Sequence, residues 1–540
     1  MNHTSRKKTA VILIVYILLL ILIFIYPLFN NHLVYGYDSP YYLISSAKIQ
    51  HELNLLGTQV PILLPALIAS LSTSASLSIL SSLKITVLLL SCVVPVTVFL
   101  FAKKNFDTVT GIFSIFWVLI SPTFYRLTSD LFNNLISEMF MILSFFVSLL
   151  KLKNAVKYTI SGLLLALAFW SHTLTPLVGV AIYLLDGLVK LFATKKVRAL
   201  IHNIYIILVG VFFSAPQSLP FLFRTPTGPN DPEFYITPLL SDSGNKFMNY
   251  ILNVISRPQT ILDTLNVFGN ALLEWISPII ILFTLGGIFL LFERRKFSDK
   301  SLLLSAFVVP LALTLLSSTG SIGFTDRFIQ YIFFPTAILS SYFLTNISKF
   351  TQALPWLKTQ FPVSKVFVSV LFILIMTNTY PKYVSEVLAR TPTISNEDHG
   401  VYKATQKYIT PRDLVLINNF YLYWFKEANQ DYNISIYEYF VTQYVANEIV
   451  DFGYYNPKAE YATNAYYVAK NSPLSFNQRV EGLCSLRANK NADRLFIFIN
   501  MNEPGVDVDY IRNHPEVFLP IFNNENHYLF LLNNSDCLIK

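Results

Sequence analysis

The run AVILIVYILLLILIFIYPLF, residues 10–29, decides the fold class of this chain. It contains no charged side chain, and a helix of about 20 residues spans a hydrocarbon core of roughly 30 Å. Arg6, Lys7 and Lys8 stand directly before it. The run is longer than the apolar core of a typical signal peptide, and no small-residue cleavage site follows it. It therefore predicts an uncleaved first transmembrane helix.

The composition of the whole 540-residue chain is also that of a membrane protein. Hydrophobic residues make up 53% and charged residues only 13%, whereas soluble domains carry about 25% charged residues. Apolar blocks recur up to residue 380, and we predict a polytopic α-helical membrane protein with about 11 transmembrane helices. The predicted spans are 10–29, 78–101, 108–123, 133–150, 157–172, 174–193, 200–219, 270–292, 301–318, 327–345 and 363–380.

Basic residues divide the loops between these spans into two sets. One set of short loops is rich in them: Lys103, Lys104, Lys151, Lys153, Lys157, Lys195, Lys196, Arg198, Arg294, Arg295, Lys296, Lys349, Lys358 and Lys365. Because cytoplasmic loops carry the excess of Lys and Arg, we predict a cytoplasmic N-terminus and, after an odd number of spans, an extracellular tail. The net charge of +8 then reflects topology, and we predict no nucleic-acid partner.

The chain changes character after residue 380 and becomes rich in Tyr and Asn. We predict a transmembrane domain over residues 1–380 and an extracytoplasmic α/β domain over residues 381–540. Short apolar runs predict strands in the tail, and residues 436–451 predict a helix. The predicted strands are DLVLI (413–417), RLFIFIN (494–500) and HYLFLLN (527–533).

The tail contains no nucleotide-binding, nucleophile-elbow or zinc motif. Of the three cysteines, Cys484 and Cys537 both fall in it, while Cys92 lies in an apolar block. The sequence leaves two alternatives open, a disulfide between Cys484 and Cys537 or two free thiols, and no Cys or His spacing fits zinc.

The first polar constellation is GYDSPYYL, residues 36–43, just after the first span. Asp38 is placed there to deprotonate an acceptor hydroxyl or to bind a divalent cation. The alternative is that Asp38 caps the helix beginning at Ser39 and Pro40, since Asp suits the N-cap and Pro the first turn.

The second constellation is SDLFNNLISEMF, residues 129–140. Asp130, Asn134 and Glu138 recur at every fourth position and so share one helical face. They form a polar stripe at the outer end of the fourth span. The alternative is a helix cap at Asp130 and an interhelical hydrogen bond from Glu138.

The third constellation is TDRFIQYIFFP, residues 325–335. Arg327 begins a span there, where its guanidinium can bind a phosphate bidentately, or can pair with Asp326 or lipid instead. His172, in WSHTLTP (170–176), is a weaker candidate, since a single interfacial His is commonly a helix-end hydrogen bonder. Asp186 and Lys190 are predicted to be an internal ion pair at i, i+4.

These features together resemble the GT-C membrane glycosyltransferases, which include the oligosaccharyltransferase catalytic subunits, protein O-mannosyltransferases and aminoarabinose transferases. The segment DSPYYL (38–43) is similar to the D-P-x-Y/F sequence that follows the first span in oligosaccharyltransferases, with Ser39 inserted. SHTLTP and DRFIQYIFFP also resemble parts of the superfamily's membrane core. The resemblance covers residues 1 to about 380.

The resemblance implies a glycosyltransferase that moves a sugar from a polyprenyl-phosphate carrier to a glycan, lipid or protein acceptor at the outer face of the plasma membrane. It implies six site residues and an optional Mg²⁺ or Mn²⁺ ion. Asp38, Asp130 and Glu138 are the implied catalytic acids or bases, Asp38 and Asp130 the implied metal ligands, and Arg327, His172 and Tyr41 the implied substrate-binding residues.

The sequence departs from the family pattern at two places, and both bear on which acceptor and which type of transferase the resemblance implies. The tail lacks the W-W-D-Y-G sequence with which oligosaccharyltransferases hold their acceptor, which disfavours that activity. Ser39 replaces the second acid of the Asp-Glu pair found in O-mannosyl and aminoarabinose transferases. The rival interpretations are a non-catalytic transporter or lipid-linked glycan-binding protein, which would show an internal repeat or mid-membrane charges, and a structural envelope protein.

The topology can be tested with a reporter fused after Lys540. The loop charges predict that alkaline phosphatase, which is active only outside the cytoplasm, is active in this fusion. Green fluorescent protein, which is fluorescent in the cytoplasm, serves as the converse reporter. A fluorescent and phosphatase-inactive pair of fusions would show the tail to be cytoplasmic.

Overall fold

The structure, a computed structural model, divides the chain into two compact units. One unit contains Met1–Gly36 and Leu53–Thr391, and the other contains Tyr37–Glu52 and Pro392–Lys540. The described residues are 3–36, 38–52, 61–129, 131–172, 174–195, 197–223, 259–293, 298–318, 325–347, 384–429, 435–439, 467–470, 472, 474–501 and 506–533.

The first unit is helical in its described parts. Its helices are α1 (His3–Phe29), α3 (Leu63–Ala75), α4 (Ile79–Asn105), α5 (Thr108–Leu119), α6 (Pro122–Leu127), α7 (Phe132–Ser148), α8 (Asn154–Ser171), α9 (Leu174–Thr194), α10 (Arg198–Phe223), α11 (Gln259–Trp275), α12 (Pro278–Glu293), α13 (Ser301–Ser318), α14 (Thr325–Ile329) and α15 (Phe333–Thr345). A 3₁₀ turn, Gln330–Ile332, joins α14 to α15. The helix α2 (Ser39–Glu52) belongs to the second unit.

Apolar helices of membrane-spanning length identify an integral membrane protein. Within the described ranges, 5 helices are long and apolar enough to cross a membrane, or 6 if one bent pair counts as a single span. The predicted number of about 11 is not confirmed, since α3, α5, α7 and Leu13–Phe29 are apolar but shorter. The predicted span 363–380 lies outside the described residues.

Two predicted spans are interrupted at proline. The span predicted over 270–292 is divided between α11 and α12, which meet at a bend of 99° before Pro278. The span predicted over 108–123 stops at Leu119, and Pro122 begins α6. Proline has no amide hydrogen and disfavours helical geometry in the residue before it, so a helix ends there although the apolar pattern continues.

Close helix packing in the first unit depends on small residues. α8 packs against both α7 and α10. A Cβ atom added to Gly162 of α8 would lie 2.6 Å from the Cβ of Val209, so only glycine permits this approach. On the other side of α8, the Ser137 hydroxyl of α7 donates to the Ala168 carbonyl at 2.8 Å.

One buried carboxylate links three helices. Asp186 of α9 accepts from Lys190 Nζ at 2.8 Å, which confirms the predicted ion pair. It also accepts from Asn203 Nδ2 of α10 at 2.9 Å and from the Ser301 hydroxyl of α13. Several donors therefore compensate the cost of burying this charge.

The second unit contains a mixed five-stranded sheet. Its strands are β1 (Leu414–Asn418), β2 (Ser435–Tyr439), β3 (Leu495–Asn500), β4 (Phe518–Asn524) and β5 (His527–Leu532), in the order β2-β1-β3-β5-β4. β1 pairs in parallel with β2 and β3, and β5 pairs antiparallel with β3 and β4. The helices are α2, α16 (Asn396–Thr405), α17 (Asn419–Asn429), α18 (Phe476–Asn489) and α19 (Val508–Arg512).

Helices cover both faces of this sheet. Leu495, Ile497 and Ile499 of β3 belong to the apolar cluster that includes Leu483 of α18. The alternate residue Phe498 packs on the other face, with its ring centroid 5.2 Å from that of Phe425 in α17. A strand buried on both faces reads as a continuous apolar run, which is why the sequence revealed β1 and β3.

The three predicted strands are confirmed within one residue at their ends. The predicted helix over 436–451 is wrong where it begins, because Ser435–Tyr439 is strand β2 in parallel register with β1. The sequence SIYEY contains one Ile and two Tyr, residue types that favour a strand. The remainder of that segment lies outside the described residues.

Cys484 of α18 is disulfide-bonded, whereas Cys92 is free and buried. Cys484 is one of the two cysteines of the tail. Cys537 itself lies outside the described residues.

An acid and a histidine join α16 to the sheet. Asp398 Oδ1 accepts from His527 Nε2 of β5 at 2.9 Å. Asp398 also accepts from the Ser395 amide at 2.8 Å, as part of a capping box at the start of α16. The hydrogen bond from His527 is the main reason that the pKa of Asp398 is lowered to about 2.

This linkage predicts a pH-dependent cost for Asp398→Asn. A carboxyl with a depressed pKa stabilises the fold above its unfolded pKa of about 4, and this stabilisation is lost as the pH falls towards about 2. We expect the variant to melt at a lower temperature than wild type at pH 7, with a gap that narrows between about pH 4 and pH 2. The measurement is the melting temperature of the full chain in detergent. Glu525→Gln, at an exposed turn residue, is the control, and a pH-independent gap would contradict the linkage.

Candidate functional site

The polar stripe of α7 is largely buried. Glu138 is 0% exposed, and neither of its carboxylate oxygens has a hydrogen-bond partner among the described residues. Asn134, one turn earlier, is also buried. Asp130, the third predicted member, lies outside the described residues. A buried acid without a partner is costly, so Glu138 remains a candidate functional residue.

The junction between α8 and α9 places His172 beside Thr175. The His172 amide donates to the Ala168 carbonyl and so caps α8. Its Nδ1 lies 3.1 Å from the Thr175 hydroxyl and accepts from the Thr175 amide at 3.3 Å. The expectation that His172 is a helix-end hydrogen bonder therefore agrees with its geometry.

Tyr331 lies near three of the predicted residues, Glu138, His172 and Arg327. Tyr331 belongs to the 3₁₀ turn that follows α14. Its hydroxyl lies 3.1 Å from the Thr175 hydroxyl. Glu138 and Arg327 both lie close enough for their charges to act on this hydroxyl. The Arg327 charge also acts on the His172 ring. Tyr331 is thus a common neighbour of Glu138, Arg327 and, through Thr175, His172.

These residues differ in how exposed they are. Thr175 and Tyr331 are 0% exposed, His172 is partly exposed, and Arg327 is exposed. The cluster therefore runs from a buried carboxyl outward to an accessible guanidinium.

Sequence reasoning missed Thr175 and Tyr331, although both lie in the quoted motifs. Thr175 stands three residues after His172, and Tyr331 stands four residues after Arg327. On a helix, each spacing puts the second side chain on the same face as the first. The signal was present, but nothing in the sequence indicated that the two motifs meet.

Arg390 was also missed, because the sequence assigns it to the tail. In the structure it belongs to the first unit and donates to the carbonyls of Tyr125 at 2.7 Å and Thr128 at 2.9 Å. Its guanidinium also lies 5.1 Å from the Tyr35 ring centroid. Arg390 thus fixes the turn after α6 that leads to Asp130 and α7.

Asp38 and Tyr41 belong to the second unit. Asp38 directly precedes α2, and its carbonyl accepts from the Tyr42 amide at 3.2 Å, as the capping alternative requires of its backbone. The Tyr41 ring meets that of Tyr42 edge to face at 5.9 Å. α2 packs against α17 of the same unit.

The described residues do not form the optional metal site. Within them, no three His, Cys, Asp or Glu side chains are grouped so as to hold an ion, and Mg²⁺ and Mn²⁺ need several oxygen ligands. The predicted Asp38 and Asp130 ligand pair remains a prediction, because Asp130 lies outside the described residues.

Neither a protein-family model nor a curated protein matches the chain. Solved structures do. The oligosaccharyltransferase of Archaeoglobus fulgidus in the apo form has a TM-score of 0.60 and 13% identity, covering 93% of this chain and 70% of that one. ArnT from Cupriavidus metallidurans bound to undecaprenyl phosphate has a TM-score of 0.52 and 12% identity, covering 99% of both chains.

A second structure from the same archaeon, the oligosaccharyltransferase AglB in complex with an inhibitory peptide and a dolichol-phosphate, has a TM-score of 0.57 and 11% identity, covering 93% of this chain and 70% of that one. These proteins are GT-C membrane glycosyltransferases. At such identities the likeness concerns the fold, and it confirms the GT-C resemblance at that level.

Proposed function

We propose that this protein is a GT-C glycosyltransferase that moves a sugar from a polyprenyl-phosphate carrier to an acceptor at the outer face of the membrane. The observation that carries the proposal is the gathering of Glu138, His172 and Arg327 around Tyr331 within a unit of GT-C fold. Two of the similar structures hold a dolichol-phosphate or undecaprenyl phosphate, which supports a carrier of this class.

In the proposed reaction, an acceptor hydroxyl attacks the anomeric carbon of the sugar. The bond between that carbon and the phosphate oxygen breaks, and the electron pair leaves with the polyprenyl phosphate. The acceptor proton passes to a carboxylate base. The leaving phosphate gains a negative charge, so the reaction requires a base at one end and fixed positive charge at the other.

Arg327 suits the phosphate end of this reaction. Its side chain is exposed at the start of α14, and its planar guanidinium can donate two parallel hydrogen bonds to phosphate oxygens. His172 lies within reach of the Arg327 charge and is proposed to contact the same group. Lipid carriers place their phosphate at headgroup depth, where an Arg at a helix end is tolerated.

Asp38 is proposed as the base that accepts the proton, with Tyr41 contributing to substrate binding. Glu138 and Asp130 are proposed as additional acids. The absence of a W-W-D-Y-G sequence from the chain argues for an acceptor other than a glycosylation sequon. A transporter or a glycan-binding protein, the rival functions, would bind the same carrier without transferring its sugar.

Asp38→Asn separates catalysis from capping. Asn caps a helix about as well as Asp, so we expect near-wild-type expression and melting temperature. Loss of a general base lowers turnover by about 10²- to 10⁴-fold. The measurement is transfer of labelled sugar from a polyprenyl-phosphate donor by purified protein in detergent. Full transfer by a folded Asp38→Asn variant would remove this residue from catalysis, and carrier binding by wild type without transfer would favour the rival functions.

Arg327→Lys and Arg327→Ala test the phosphate clamp. Lysine keeps the charge but loses the planar fork, so we expect Arg327→Lys to retain part of the turnover and Arg327→Ala less. Arg198→Ala is a suitable control, because Arg198 begins α10 and lies outside the cluster around Tyr331. Wild-type transfer by both Arg327 variants would exclude a phosphate role.

A further inference from the structure

A chain of hydrogen bonds connects Tyr331, Thr175 and His172 in the first unit. The Tyr331 hydroxyl lies 3.1 Å from the Thr175 hydroxyl, which in turn lies 3.1 Å from His172 Nδ1. Neither hydroxyl has a role in the reaction described above. Both residues are 0% exposed, so water does not compete for these hydrogen bonds.

The direction of these hydrogen bonds follows from one backbone contact. The Thr175 amide can only donate, and it points at His172 Nδ1 at 3.3 Å. Nδ1 therefore carries no proton and acts as an acceptor. The Thr175 hydroxyl must then donate to Nδ1, and its oxygen is left to accept from the Tyr331 hydroxyl.

The same reasoning assigns the tautomer of His172. A histidine whose Nδ1 accepts hydrogen bonds is neutral and carries its hydrogen on Nε2. The buried hydroxyls occupy the Nδ1 side of the ring, while the residue is partly exposed. The nitrogen that bears hydrogen is thus the one left available to an incoming group.

We infer that Thr175 and Tyr331 are positioning residues that hold His172 as a neutral Nε2 donor to the phosphate bound by Arg327. The inference rests on the proposed function and adds two residues to its site. The ligand chemistry is a phosphate monoester or diester of a polyprenol.

A neutral donor suits this position better than an imidazolium. The positive charge of Arg327 acts on the His172 ring. The Arg327 guanidinium would therefore repel a positively charged His172 ring. A neutral N–H still donates, and its hydrogen bond strengthens as the phosphate gains negative charge during bond breaking. His172 is therefore expected to form a stronger hydrogen bond with the leaving polyprenyl phosphate than with the intact sugar donor.

The tautomer can be measured by ¹⁵N NMR of histidine-labelled protein in lipid nanodiscs. The His172 signals among the eight histidines are assigned by their loss in His172→Asn. Wild type is expected to show an unprotonated Nδ1 and a protonated Nε2. Thr175→Val, which keeps the shape and the backbone amide but removes the hydroxyl, is expected to keep Nδ1 unprotonated and to shift its nitrogen signal through loss of the hydroxyl hydrogen bond, and Thr175→Ser is expected to give the wild-type signal. Unchanged nitrogen signals in Thr175→Val would overturn the inference.

The second measurement is the affinity of the protein and its variants for a polyprenyl monophosphate. Thr175→Val and Tyr331→Phe are expected to weaken its binding by roughly three- to tenfold, as for loss of one neutral hydrogen bond. His172→Gln, whose amide nitrogen can occupy the Nε2 position, is expected to bind better than His172→Asn. Equal wild-type affinity in Thr175→Val and Tyr331→Phe would also overturn the inference.

Thr314→Val is the matched control. Thr314 is likewise buried in the first unit, and its hydroxyl donates to the Pro310 carbonyl of its own helix at 2.8 Å. This variant is expected to keep the wild-type nitrogen signals and affinity. Should Thr175→Val not fold, Tyr331→Phe tests the same hydrogen bonds. Phosphate binding and the tautomer do not require sugar transfer, so absence of transfer would refute the proposed function without deciding this inference.

Discussion

A polar group removed from water costs several kcal/mol unless it finds a hydrogen-bond partner, and the membrane unit is organised by that cost. Many of its buried hydroxyls donate back to their own helix, as Thr86 does to the Ser82 carbonyl at 2.7 Å. Lys84 places its ammonium against the carbonyls of Asn31 and His32, at 2.7 and 3.0 Å. Lys84 thereby joins α4 to the segment that follows α1, whereas hydrogen bonds such as that of Thr86 stay within one helix.

Glu138 departs from this pattern. Asp186, equally buried, has three donors, whereas the Glu138 oxygens have none among the described residues. The contrast separates a structural carboxylate from a functional candidate within one unit. The Tyr331 hydroxyl, which is near Glu138 and hydrogen-bonded to Thr175, connects this buried acid with the residues around Arg327.

The second unit follows the rules of a soluble α/β fold. Its sheet is covered on both faces, and two adjacent residues of α16 form acid-histidine pairs. Asp398 pairs with His527 of β5, and His399 pairs with Glu427 of α17 at 2.6 Å. These pairs attach one helix to the sheet and to a neighbouring helix. α2, which carries Tyr41 and follows Asp38, packs within the same unit.

The sequence by itself determined the membrane class, the apolar helices and three of the strands, because these depend on local periodicity and on runs of apolar residues. It also indicated Glu138, His172 and Arg327, since charged and titratable groups are rare in apolar surroundings. Only the tertiary structure decided that these three share the neighbourhood of Tyr331, that Asp38 and Tyr41 belong to the second unit, and that Arg390 belongs to the first. Contacts between residues distant in the chain, such as Thr175 and Tyr331, leave no periodic trace, because they depend on how helices pack and not on the pattern within any one helix.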